Sequence, residues 1–153
     1  MPSLDDVYRK FGEASEAAQL LETELGNVSI KIGAAEANLL TEPNSDRASE
    51  LFKKINRQTL GQLLKNVSGS TESVDHLEAL LSRALAERNR LSHSFYRCHN
   101  FRRNSEEGRV LMLNDLESIH DTLFEAYKAV MLLSGIDLNV VHIDHLPRRH
   151  VLI

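Results

Sequence analysis

Apolar side chains recur along this chain at alternating steps of four and three residues, the spacing of one buried helix face. Ser3 stands just before the first series and Asp6 follows it by three residues, a pairing typical of a helix N-terminus. The pattern therefore predicts one long helix over residues 4 to about 38. Its apolar series consists of Val7, Phe11, Ala14, Ala18, Leu21, Leu25, Val28 and Ile32.

Two further helical regions follow, separated by turn residues. Between Leu40 and Arg47, Pro43 lies among asparagine, serine and aspartate, so the chain is expected to reverse there. A second helical region extends from Leu51 to Val67 and ends at the polar break Ser68–Thr71. A third apolar series extends from Val74 to Phe95 and predicts one continuous helix as far as Tyr96.

The fourth series extends from Met112 to Leu133 in the same four-three order, and Gly135 is the expected C-terminal stop. Residues 136–153 contain Pro147 and show no clear period. Because no single helix can bury its apolar face alone, these elements predict an all-α fold. The expected architecture is an antiparallel up-and-down four-helix bundle with an additional short helix and an irregular C-terminal tail.

Composition supports one domain over residues 1–153 and argues against an all-β fold, because only seven glycines and three prolines are present. Cys98 is the single cysteine, so no disulfide framework is available and a reducing, cytoplasmic setting is expected. No signal peptide or membrane span is visible, and no membrane partner is expected.

The charge is distributed unevenly. The whole chain has a net charge of -4, yet residues 83–103 contain six arginines against Glu87 alone, a local charge of +5. The remaining residues therefore total -9. This basic segment is where contact with a polyanion is most plausible.

The same segment interrupts the apolar pattern. Arg88 occupies a position of the apolar series, and arginine is rarely buried without a partner or a function. At 100° per residue, one polar stripe on the predicted helix is formed by Asn89, Ser92, His93 and Tyr96. We expect the Arg88 guanidinium to emerge beside this stripe.

A row of arginines lies next to the stripe. Arg83, Arg90 and Arg97 are seven residues apart, and Arg102 and Arg103 follow. Such a ridge suits a phosphodiester backbone, because the planar guanidinium matches phosphate oxygens in pairs. The alternative interpretation is an ordinary solvated helix face.

The segment resembles the HEPN superfamily, whose motif is an arginine, four to six intervening residues beginning with a polar one, and a histidine. Here it reads Arg88-Asn89, three further residues and His93, and the similarity extends chiefly over residues 59–116. HEPN domains are small helical bundles, usually homodimeric. Many are metal-independent RNA endonucleases of toxin–antitoxin, phage-defence and stress systems.

The resemblance implies roles for the motif. His93 would be the general acid or base, Arg88 would stabilise the transition state, and Asn89 would orient the ring or the substrate. In one HEPN subgroup, a tyrosine two residues after the histidine is modified by a partner antitoxin protein. This chain has Phe95 there and Tyr96 one position later, so that regulation is not expected.

Two other functions fit the sequence. A HEPN-like module can bind RNA or a nucleotide without cleaving it, and the heptad series could serve a helical adaptor that contacts proteins. In a purely structural interpretation, His93 and Arg88 only cap carbonyls, pair with an acid or organise a dimer interface.

Neither a metal site nor a cofactor is expected. The tail has His142, His145 and His150, but no helical period or reliable third ligand supports metal binding, and packing on the bundle is favoured. Cys98 lies between Arg97 and a histidine without a third orienting group, so a structural role is expected rather than a nucleophilic one.

Overall fold

The computed structural model describes residues 1–58, 62–63 and 75–140, and this part of the chain is helical without any strand. The all-α class predicted from the sequence is confirmed. None of the described helices combines the length and apolarity needed to cross a bilayer. The elements are α1 (Leu4–Glu36), α2 (Ser45–Asn56), α3 (Asp75–His93), α4 (Phe95–His99), a 3-10 helix (Asn100–Asn104) and α5 (Glu106–Leu133).

Helix α1 begins where the sequence predicts, because Ser3 and Asp6 cap each other. The Asp6 N–H donates to Ser3 Oγ at 3.1 Å, and the Ser3 N–H donates to the Asp6 carboxylate at 2.8 Å. The hydrogen bonds that the Ser3 N–H and the Ser3 hydroxyl donate to this carboxylate lower the pKa of Asp6. The helix ends at Glu36, shortly before Asn38, whose φ of 56° no longer continues it.

The core lies between α1, α3 and α5, and the predicted apolar series provide most of it. All members of the first series are buried except Phe11 and Ile32, which are partly buried against the core. In the fourth series, Leu133 is exposed. The residues with no exposed surface at all in α5 are Met112, Leu116, Ile119, Leu123, Ala126 and Val130.

Helices α1 and α5 run in the same direction. At their beginnings, Arg109 Nε donates to the Pro2 carbonyl at 2.7 Å, and at the end of α5 Ser134 donates a hydrogen bond to Glu24, in the second half of α1. An up-and-down bundle of four helices would make the first and last antiparallel, so the arrangement differs from the predicted one.

Helix α3 runs against α1, because its end lies near the beginning of α1. Phe95, just after α3, packs on Phe11 with ring centroids 5.7 Å apart, whereas Arg88 reaches Glu22, about three turns further along α1. Helix α2 also folds back along α1, with Leu51 against Gly33 and a buried Ile55 near Gly26.

The predicted helix through Tyr96 is broken at Ser94. Ser94 has φ −140° and ψ −6°, α3 ends at His93, and α4 begins at Phe95. The break is bridged by Ser94 itself, whose hydroxyl donates to the Arg90 carbonyl at 3.1 Å and whose carbonyl accepts the Cys98 N–H at 2.8 Å. The apolar series continues across it because Leu91 and Phe95 are both still buried.

The connection between α4 and α5 is a 3-10 helix packed tightly on α5. A Cβ on Gly108 would lie 2.1 Å from the Arg102 carbonyl oxygen, so only glycine allows this approach. Ser105 caps α5 by accepting the Gly108 N–H at 3.1 Å. Gly135, with φ 81°, follows the end of α5 as predicted. The C-terminal tail from residue 141, with its three histidines, and most of the predicted second helical region beyond residue 58 lie outside the described residues.

Candidate functional site

All ten residues expected at the site lie on α3, α4 and the 3-10 helix. Two of them, Arg88 and Arg90, are half-buried. The others have exposed side chains: Arg83, Asn89, Ser92, His93, Tyr96, Arg97, Arg102 and Arg103.

Arg88 leaves the apolar series and pairs with an acid of α1. Its Nη2 lies 2.7 Å from Glu22 Oε1, and its Nη1 donates to Asn89 Oδ1 at 3.3 Å. Glu22 Oε1 is shielded from solvent and accepts no hydrogen bond, so the neighbouring charge of Arg88 compensates its burial. The guanidinium is therefore held beside the polar stripe, as predicted, but by a partner that the sequence did not reveal.

A shallow groove between α1 and α3 opens at this pair. Its volume is about 350 Å³, and Arg88 and Ser92 form its α3 side together with Leu91. The α1 side combines apolar and polar groups: Phe11, Ser15, Ala18, Gln19 and Glu22. A cation, two hydroxyls and an amide around an apolar floor can contact a phosphate and the sugar next to it.

His93 is the last residue of α3, and its side chain is exposed. It has no hydrogen bond or ion pair with any residue in the described part of the chain. His93 follows Arg88 by five positions, so its side chain leaves α3 further along the helix and about 140° around the helix axis from Arg88. An exposed imidazole without a structural partner is available to exchange a proton with a bound molecule.

Tyr96 does not continue the polar stripe on one helix with His93. It belongs to α4 and packs in an aromatic cluster, 5.1 Å from the Phe11 ring centroid and 6.4 Å from that of Tyr8. Burial in this cluster raises the pKa of the Tyr96 hydroxyl. The side chain therefore contributes packing at the edge of the groove and keeps its proton at neutral pH.

Arg90 is not open to a phosphate, contrary to its expected place in the arginine ridge. It donates two hydrogen bonds to Asp115 at 2.6 and 2.8 Å and two to Glu87 at 2.7 and 3.0 Å. The bonds to Asp115, more than those to Glu87, raise the pKa of Arg90. The same bonds lower the pKa of Asp115. The predicted ridge is thus interrupted at its middle member.

His99 joins this network and is 5% exposed. Its Nε2 lies 2.7 Å from Asp115 Oδ2, and Arg102 Nη1 lies 3.1 Å from its Nδ1. Arginine only donates, so Nδ1 accepts and the ring proton resides on Nε2, which donates to Asp115. The sequence pattern gave no sign of this role for His99 or Asp115, since no spacing rule links side chains on different helices.

Arg83, Arg97 and Arg103 remain open: none forms an ion pair with a carboxylate in the part of the chain that the structure describes. Cys98, expected to have a structural role, is exposed. Among the described residues, no three histidine, cysteine or carboxylate side chains are grouped so that they could hold a metal ion.

The candidate site therefore consists of a groove between α1 and α3 at the paired Arg88, with an exposed histidine and three open arginines elsewhere on residues 83–103. Beside it lies an internally paired cluster of charges. Comparison with known proteins adds no relative: no protein-family model, curated protein or solved structure matches this chain.

Proposed function

We propose that this protein is a metal-independent RNA endonuclease of the HEPN type, acting as a cytoplasmic homodimer. The observation that supports it best is the Arg88 guanidinium held at the groove between α1 and α3, with the exposed His93 further along the same helix. A toxin–antitoxin, phage-defence or stress system is the setting that the HEPN resemblance implies. An antitoxin protein would then be the partner.

The proposed reaction uses the RNA itself as nucleophile. His93 takes the proton of a ribose 2′-hydroxyl, the 2′-oxygen attacks the adjacent phosphorus, and the bond to the 5′-oxygen of the next nucleotide breaks. That 5′-oxygen takes up a proton, so the products are a 2′,3′-cyclic phosphate and a 5′-hydroxyl. Arg88 stabilises the additional negative charge on the phosphoryl oxygens in the transition state.

Glu22 and Asn89 are positioning residues in this mechanism. Both contact the Arg88 guanidinium, at 2.7 Å from Nη2 and 3.3 Å from Nη1 respectively. They fix its direction before RNA arrives. A phosphate in the groove then competes with the Glu22 carboxylate for the same guanidinium, so substrate binding exchanges one anion for another.

The test is cleavage of a structured RNA by the purified protein in EDTA. We expect fragments ending in a cyclic phosphate, and we expect His93→Ala to lower the cleavage rate at least about 100-fold, the usual contribution of a general acid or base. His120→Ala on α5 is the matched control. Its ring stacks on Phe124, away from the groove, and the variant should cleave like the parent. Equal cleavage by the His93 variant and the parent would contradict the proposal.

The Arg88–Glu22 pair also favours a second candidate, a module that binds RNA or a nucleotide without cutting it. A guanidinium already neutralised at 2.7 Å adds less to phosphate attraction than an open one. This candidate predicts that parent and His93→Ala chains are equally inert and bind RNA with a steep salt dependence. Absence of RNA affinity together with a stable protein complex would instead favour the helical adaptor.

A further inference from the structure

Phe101 presents its ring to solvent on the 3-10 helix. It is 76% exposed, more than any other large apolar residue in the described helices. The nearest values are 55% for Leu132 and 51% for Leu111, both on α5. A phenyl ring in water loses the stabilisation that burial would give it, so a ring held outward is a candidate contact for a ligand.

The exposure of Phe101 is built into the surrounding backbone. On its C-terminal side, the Arg103 carbonyl accepts a hydrogen bond from Arg109 Nη1 at 3.1 Å. The Arg102 backbone lies directly against Gly108, and the Arg102 side chain donates to buried His99 at 3.1 Å. Helix α5 therefore fixes the residues that follow Phe101, and the ring stays in place without support from its own packing.

The charge around the ring is positive. No aspartate or glutamate occurs from Arg97 to Asn104, and Arg97 and Arg103 on either side of Phe101 form no ion pair with a described carboxylate. An exposed aromatic ring flanked in sequence by two open arginines matches an unpaired nucleotide, whose base would stack on the ring and whose phosphates would face the arginines. A purely apolar protein partner would leave the arginines without a counter-charge.

We propose that Phe101, Arg97 and Arg103 form a subsite for an unpaired nucleotide, separate from the groove at Arg88. This inference rests on the proposed RNA function and adds a preference for single-stranded RNA. In a duplex both faces of each base are covered by neighbouring bases, so Phe101 can stack only on a base that has left the helix.

The test measures binding with the His93→Ala chain, which keeps the RNA intact. A fluorescently labelled oligoribonucleotide is titrated as a single strand and after annealing to its complement, and anisotropy gives Kd. Adding Phe101→Ala should weaken single-strand binding about tenfold, as expected for loss of one stacked base, and change duplex binding less than about twofold. Phe101→Trp should restore the affinity. Phe52→Ala, at a 44% exposed ring on α2, is the matched control and should change neither.

Equal single-strand affinity of the Phe101→Ala chain and its parent would overturn this subsite, and the cleavage assay would still decide the proposed function. An equal loss for single strand and duplex would also overturn it, since stacking on unpaired bases would not be the cause. If the parent binds neither RNA, both proposals fail together. If the protein cleaves RNA but Phe101→Ala does not change its affinity for the single strand, only the Phe101 subsite is ruled out.

Discussion

Two groups of charged side chains, drawn from the basic segment 83–103 together with Asp115 of α5, have opposite surroundings. The paired cluster consists of Glu87, Arg90, His99, Arg102 and Asp115, and its members hydrogen-bond to one another at distances from 2.6 to 3.1 Å. The open set consists of Arg83, His93, Arg97 and Arg103, which meet no described carboxylate. The paired cluster joins α3, α4 and the 3-10 helix to α5, whereas the open set faces solvent.

This difference separates stability from binding. A charge with a fixed opposite partner contributes to the fold and has little attraction left for a polyanion, whereas an open charge does the reverse. The local charge of +5 counted from the sequence therefore overstates the positive charge that Arg90 offers to RNA. The count also leaves out Asp115, the carboxylate that neutralises Arg90. Arg88 lies between the two groups: it is paired with Glu22, yet it borders the groove.

The sharpest way to break the paired cluster is Asp115→Ala. The change leaves Arg90 with Glu87 only and removes the acceptor of His99, so we expect a loss of about 3 kcal/mol in the free energy of unfolding. Urea denaturation followed by circular dichroism measures it. The control is Asp121→Ala on the same helix, whose side chain is 72% exposed and should cost less than about 0.5 kcal/mol. Similar losses in both variants would show that the cluster does not stabilise the fold.

Gly108→Ala tests the contact that fixes the 3-10 helix on α5. The added methyl would lie 2.1 Å from the Arg102 carbonyl oxygen, so the backbone must shift, and we expect a loss of about 2 kcal/mol. Gly12→Ala is the matched control, because nothing lies within 4 Å of its Cβ position in α1. That change should stabilise the chain by up to about 1 kcal/mol. If thermal unfolding gives the two variants the same Tm, the close approach is not a constraint.

Lowering the pH should remove the stabilisation that the paired cluster gives to the folded state. Hydrogen bonds from Arg90 hold the pKa of Asp115 below its ordinary 3.8, so the ionised carboxylate stabilises the folded state. The contribution is complete well above 3.8 and is lost as pH falls through the lowered folded pKa. We expect the gap in unfolding free energy between the parent and Asp115→Asn, about 1 to 2 kcal/mol at neutral pH, to narrow as pH falls below 3.8. A gap independent of pH would mean that the carboxylate charge is irrelevant.

Glu22→Gln tests the Arg88–Glu22 pair, which belongs to neither the paired cluster nor the open set. The amide keeps the size of the side chain beside Arg88 but removes the negative charge from the groove, so affinity for single-stranded RNA should rise about two- to fivefold at low salt. Glu125→Gln, on the exposed face of α5 next to Lys128, is the control and should leave Kd unchanged. An RNA affinity lowered by Glu22→Gln would show that Glu22 acts mainly by holding Arg88 in place.

Much of the fold could be predicted because helix periodicity and caps are local. The series from Val7 to Ile32, the cap at Ser3 and the stop at Gly135 fix α1 and the end of α5. The break at Ser94 could not be seen, since no glycine or proline occurs there and the apolar spacing from Leu91 to Phe95 is unbroken.

The candidate site was predictable as a place but not as a network. The motif at Arg88 and His93 is a short run on one helix, whereas the partners of its arginines are distant: Glu22 lies on α1 and Asp115 on α5. Which arginine is neutralised depends on how these helices pack. The helix directions in the structure differ from the predicted ones. The sequence therefore could not show which of Arg83, Arg90 and Arg97 is neutralised and which are open.

Arg90 stabilises the fold through its carboxylate partners, whereas under the proposed function Arg97 binds RNA phosphate. The most direct measurement is the slope of log Kd for single-stranded RNA against log salt concentration, for the parent, Arg97→Gln and Arg90→Gln, at a temperature where all three are folded. We predict that Arg97→Gln reduces the slope by about 0.7, the loss of one phosphate contact on a single strand, and that Arg90→Gln leaves it unchanged. Equal reductions in both variants would contradict the division between the paired cluster and the open set.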